Sequence, residues 1–322
     1  MPNFARTAAL GLAALLSMTA VAAAQGYPNR PIKWIISFPP GGSTDVVARA
    51  MLPSLEKRLG QPVVIENRAG ASGTLGVDAV TKSAPDGYTI LMTTGDFITV
   101  PSLMPATSYD PNKDVIPVTR FANSPLLLLT HPGSGLNSVK DLIEKAKAEP
   151  GKLAFGSPGV GTINQLAVEW LGLEAGIKLL HVPYRGGAAM ANGLAAGDTA
   201  LGVTTQSSVQ GMIDAGKIKV LSILGRERPS FLKDWSTMAD SGLNVDAGLT
   251  IGLYVPAGTP ADIIARLDAE VLKILKDEML RKRFNELGME VSPVSGTALV
   301  ERIRREAARY KQIIEQTGVK LN

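Results

Sequence analysis

The chain has 322 residues, 45% of them hydrophobic, with a formal net charge of +4, two histidines and no cysteine. Such a length suits about two domains with cores of their own. The missing cysteines exclude disulfides, thiol catalysis and cysteine metal sites. The modest, dispersed positive charge favours small anions and gives no reason to expect a nucleic-acid partner.

Residues 1–24 read as a leader. Arg6 supplies a positive start, an apolar stretch runs from Ala8 to Met18 and on through Val21, and Ala22-Ala23-Ala24 offers a cleavage site before Gln25. The run is short for a membrane span, and no cysteine follows it to take a lipid. A cleaved secretory signal peptide is therefore expected, cut near Ala24/Gln25, with a soluble periplasmic product. The basic triplet Arg281-Lys282-Arg283 reads as a solvated helix face.

Ile32–Phe38 reads as a buried strand. Asp45–Leu59 follows as a helix, with Val47, Met51 and Leu55 four apart. A strand at Pro62–Glu66, a helix at Thr74–Lys82 and a strand at Thr89–Thr93 complete a βαβαβ series. That order implies a parallel sheet with right-handed crossovers. A second series starts at strand Pro125–Thr130 and runs through Val139–Ala148, Leu153–Gly156, Thr162–Ala175, Leu179–Val182, Ala188–Ala196, Thr199–Val203 and Val209–Ala215 to strand Ile218–Leu224. After strand Leu249–Val255 only helices are expected: Pro260–Lys276, Glu278–Leu287 and Thr297–Thr317. Helices without a sheet of their own should pack back on a lobe. The predicted fold class is α/β, with two lobes, each a mainly parallel sheet flanked by helices. Residues 25–124 would form lobe one, 125–248 lobe two, and 249–322 the return to lobe one.

Chemistry concentrates where strands end and helices begin. Pro39-Pro40-Gly41-Gly42-Ser43-Thr44-Asp45 joins tight-turning glycines to hydroxyls and a helix N-terminus, whose unpaired N–H groups suit an anion. The second lobe offers a matching turn with Ser157, Gly159, Gly161 and Thr162, where Thr162 and Gln165 form a capping box and Asn164 sits in the first helical turn. A third loop holds Tyr184, Arg185 and Gly186, and a fourth holds Thr204, Thr205 and Gln206. Ligands of open parallel sheets bind beyond the carboxyl ends of the strands. Four polar loops on two lobes thus suggest one shared cleft.

Catalytic motifs fail. No H-E-x-x-H is present, Ser157 lacks the upstream glycine of G-x-S-x-G because Phe155 stands there, and Ile218 breaks a P-loop match at Gly211–Lys217. His131 and His181 read as structural. Asp110, Asn112 and Asp114 imitate a calcium loop, but Val115 and Phe121 replace its glycine and its bidentate acid.

The chain resembles the periplasmic receptors of tripartite tricarboxylate transporters, the Bug-type receptors. The resemblance rests on Tyr27-Pro-Asn-Arg-Pro-Ile-Lys33, Phe38-Pro-Pro-Gly-Gly-Ser-Thr-Asp-Val-Val-Ala-Arg49, Glu66-Asn-Arg-Ala-Gly-Ala-Ser-Gly73, Asp86-Gly-Tyr88, His181-Val-Pro-Tyr-Arg-Gly186, Ala215-Gly-Lys217 and Pro256-Ala-Gly-Thr-Pro260. It implies a two-lobe clamshell that closes on a small carboxylate, without cofactor or metal. One carboxylate would be held between the first βα loop and its second-lobe counterpart. Where many relatives carry Phe-Asp-Asn, this chain has Val203-Thr204-Thr205, which makes amine-bearing ligands less expected. Gly95-Asp96-Phe97 also departs from the pattern; Phe97 either stacks on an aromatic ligand or packs in the core.

The leading expectation is a monomeric receptor that captures a dicarboxylate or aromatic acid for a membrane permease. An exported hydrolase-like enzyme and a ligand sensor for a membrane kinase are the alternatives.

Overall fold

The structure is a computed structural model that describes residues 26–103 and 107–319. The predicted leader and its cleavage point before Gln25 lie outside the described residues.

The first sheet begins with three parallel strands: β1 (Ile32–Ile36) in the middle, flanked by β2 (Val63–Asn67) and β3 (Thr89–Thr94). β1 is apolar almost throughout because both of its faces are covered. Ile32, Trp34 and Ile36 join one core with Val47, Met51 and Leu55 of α1 (Ser43–Leu59). Ile35 faces a second core with Val77 and Val80 of α2 (Thr74–Thr81). A helix that the sequence reading missed, α3 (Asp96–Leu103), follows β3 directly; it holds Pro101, a residue that argues against a helix interior.

The long strand β4 (Val115–Thr130) connects the two sheets. Only the part from Pro125 onward was expected; Pro117 lies in the earlier part, and proline cannot donate to a ladder. Register shifts next to Pro117 and near Arg120 absorb the misfit. Through residue 125 the strand pairs antiparallel with Gly248–Pro256, and from Leu126 to Thr130 with Leu201–Thr205. The intervening elements are α4 (Val139–Ala148), β5 (Ala154–Ser157), α5 (Ile163–Ala175), β6 (Leu180–Pro183), α6 (Gly187–Ala196), β7 (Leu201–Thr205), α7 (Gln210–Asp214) and β8 (Lys219–Ile223). In the second sheet β5 is parallel to β6 and β7, while β4 runs antiparallel to β7 and β8. Leu126 and Leu128 enter one core and Leu127 and Leu129 another, as the two-residue period of a strand requires.

The chain returns through β9 (Gly248–Pro256), antiparallel to both β3 and β4. α8 (Ala261–Ile274) and α9 (Glu278–Glu286) add Leu267, Val271 and Phe284 to the first core. The expectation of an all-helical tail is corrected here: Glu290–Ser295 forms β10, antiparallel to β4. Its short length, Pro293 and exposed Glu290 concealed it. The last helix, α10 (Gly296–Thr317), serves both sheets. Ile303 and Ala307 pack on the Phe97–Tyr254 core, while Tyr310 and Ile313 enter the second-lobe core.

Candidate functional site

The turn between β1 and α1 is organised by Asp45. Its Oδ2 accepts the Gly41 N–H and the Arg49 Nε–H, both at 3.0 Å, and its Oδ1 accepts from Asn67 at 3.0 Å. Asn67 also donates to the Phe38 carbonyl at 3.0 Å. Burial raises the pKa of Asp45, but the bonds from Arg49, Gly41 and Asn67 outweigh it and leave the carboxyl below its ordinary value. Gly41 has a φ of 80°, which favours glycine. No side chain caps α1. The N–H groups of Ser43, Thr44 and Asp45 therefore lack partners among the described residues, and the buried Thr44 hydroxyl is unpaired as well.

The matching turn before α5 differs. Thr162 caps the helix, accepting from the Gln165 N–H at 3.4 Å and donating to the Gly159 carbonyl at 2.8 Å. Gln165 Oε1 accepts the Gly161 N–H at 2.8 Å, one residue before the usual capping-box partner. The Ile163 N–H is taken by Asp96 Oδ1 at 2.6 Å. Within Gly159–Thr162 the Gly159 and Gly161 N–H groups and the Thr162 hydroxyl are therefore engaged with the protein's own acceptors, while the Val160 and Thr162 N–H groups have no partner among the described residues. Gly159 is needed for a different reason: a Cβ there would stand 2.6 Å from the Ser72 hydroxyl oxygen across the lobes.

Seven of the predicted residues line one cleft between the lobes: Gly42, Ser43, Asp96, Asn164, Arg185, Gly186 and Thr204. The cleft is narrow, with about 440 Å³ of empty space including its mouth. Gly186, with a φ of 100°, lets the second lobe approach Pro39; a Cβ there would lie 3.0 Å from the proline ring. Arg185 is exposed on the cleft wall and has no ionic or hydrogen-bond partner among the described residues.

The other predicted residues are not among those that line the cleft. Phe97 is buried edge-on against Tyr254 with ring centroids 4.8 Å apart, so it packs in the core. Tyr184 fills the space left by Gly156 and Gly193. Thr205 bonds Ser207 at 3.0 Å. Gln206 reaches across to Gly288, where any Cβ would collide with its amide. The sequence reading left out Thr94 and Leu249, which also line the cleft. Leu249 comes from β9, a contribution that only the fold reveals.

Ser157 and His181 meet at 2.7 Å, the pair that a hydrolase would need first. Ser157, however, is fully buried and donates its single proton to the Gly159 carbonyl at 2.9 Å. His181 must then donate from Nε2, the reverse of a general base. Burial lowers its pKa to about 4. Among the described residues no cluster of His, Cys, Asp and Glu could hold a metal ion, and no helix is long and apolar enough to cross a membrane.

Comparison with known proteins agrees with this architecture. The family model described as "Tripartite tricarboxylate transporter family receptor" matches residues 47–319. Protein BugT of Bordetella pertussis is 35% identical over 313 residues, covering 96% of this chain and 95% of that one. A Rhodopseudomonas palustris protein solved with adipate superposes with a TM-score of 0.88 at 29% identity, covering 92% of this chain and 99% of the other. MatC from Rhodopseudomonas palustris, with bound malate, gives a TM-score of 0.82 at 27% identity, over 89% of this chain and 100% of the other.

Proposed function

The chain belongs to the receptor family of tripartite tricarboxylate transporters, and on that premise we propose that it captures a small carboxylate in the inter-lobe cleft and delivers it to a membrane permease. Members of this family are solute-binding receptors and not enzymes. The observation that carries the proposal is Arg185, an unpaired cation on the cleft wall, in the same cleft as the uncapped N-terminus of α1. An anion entering there gains a charge partner and free N–H donors at once. The ligands of the two solved neighbours, adipate and malate, support a carboxylate. Aromatic acids are less favoured than the sequence suggested, because Phe97 is committed to the core.

The receptor would work in the periplasm as a monomer, closing its lobes about the β4 and β9 crossings. A thermal-shift screen against small acids tests the proposal. A binding acid raises the melting temperature by mass action. No shift with any acid, while a neutral or cationic solute does stabilise the protein, would overturn it.

A further inference from the structure

Asp96 lines the cleft yet is 2% exposed, and no cation pairs with it among the described residues. A carboxylate has about four acceptor positions. Two are filled here: Oδ2 by the Thr94 hydroxyl at 2.5 Å and Oδ1 by the Ile163 N–H at 2.6 Å. A buried charge with so few donors is costly, and a further donor would relieve it. Burial accordingly pushes its pKa up to about 6. Asn164, also in the wall, gives one of its two amide N–H groups to the Val203 carbonyl at 3.3 Å, which leaves its carbonyl oxygen and its other N–H open. Other donors of the cleft include Arg185, the start of α1 and the Thr204 and Ser208 hydroxyls.

We propose that Asp96 is a specificity-determining residue that accepts a hydrogen bond from the ligand, so the preferred ligand is a small acid with a donor group (hydroxyl, amide or ammonium) away from its carboxylate. This rests on the carboxylate reading of the cleft. A second ligand carboxylate placed against Asp96 would meet a like charge in a dry site. The position also compensates for Val203-Thr204-Thr205, where the sequence offers no acid. The carboxylate is held in place from both lobes, by Thr94 on one side and the α5 terminus on the other.

Calorimetry on the full chain tests this with straight-chain monocarboxylates of several lengths, each ending in methyl, hydroxyl, ammonium or a second carboxylate. At the best-fitting length the hydroxyl- or ammonium-ended acid should bind at least about tenfold tighter than the diacid. Asp96→Asn turns an N–H donor toward the ligand and should erase or reverse that order. Equal binding of the two ligand types to the parent protein would overturn the inference without any variant. So would an unchanged order in a folded Asp96→Asn protein. If no acid of any kind binds, the carboxylate reading itself falls, and this inference with it.

Discussion

The Thr99 hydroxyl donates to the Gly161 carbonyl at 2.9 Å, joining α3 of the first lobe to the turn before α5 in the second. With the Asp96–Ile163 bond it forms a two-point seam beside the cleft. Both bonds must break if the lobes part there, so the seam ties α3 to closure. Thr99→Val keeps the shape and leaves the buried carbonyl unpaired in the closed form, a cost of about 1–3 kcal/mol. Affinity for the bound acid should fall about tenfold by calorimetry. An unchanged affinity would mean that the bond contributes nothing to closure.

Arg185→Ala should weaken acid binding about tenfold or more, since it removes the cation without leaving a buried partner. The melting temperature of the free protein should hardly move, because Arg185 is exposed and has no partner among the described residues. Added salt should weaken the parent more than the variant. Loss of stability with intact binding would make Arg185 structural instead.

Asp45→Asn should disorganise the Phe38–Gly42 turn and cost about 1–3 kcal/mol of stability, as expected for charge-assisted bonds. The pH dependence has a definite sign. The carboxyl is lowered in the folded state, so its contribution is complete above about pH 4 and disappears as the pH falls further. The difference in melting temperature between parent and variant should therefore shrink in acid. A constant difference down to strongly acidic pH would contradict this account.

Asp96 should show the opposite trend. Its pKa is raised in the folded state to about 6, so its favourable contribution is present below about pH 4 and lost as the pH rises through 6. The linkage is on the order of 3 kcal/mol. Asp96→Asn cannot titrate, so the variant should gain stability relative to the parent between those pH values. Parallel melting curves across that range would show that Asp96 is not buried as a charge.

The periodicity of short local segments was enough for most of the fold. Helix Val139–Ala148 and the α/β alternation on either side of it depend on which residues face inward within a few turns, and sequence spacing encodes that directly. The same holds for the anion-ready turn at Gly41–Asp45, where glycines, hydroxyls and a first-turn acid adjoin a strand end. β4 and β10 were less legible, because Pro117 and Pro293 suppress the strand signal while bulges and antiparallel neighbours make the pairing possible. α3 was hidden in the same way by Pro101.

By itself the sequence determined the α/β class, the polar loops and the supply of donors and acceptors. Only the tertiary structure decided how they are spent. It placed Asp96 on the Ile163 N–H at the start of α5, 67 positions away in the chain. It put Phe97 into the core and left Arg185 without a partner among the described residues. The physical reason is that a hydrogen-bonding group's capacity is local, whereas its satisfaction depends on whatever the fold brings within about 3 Å of it.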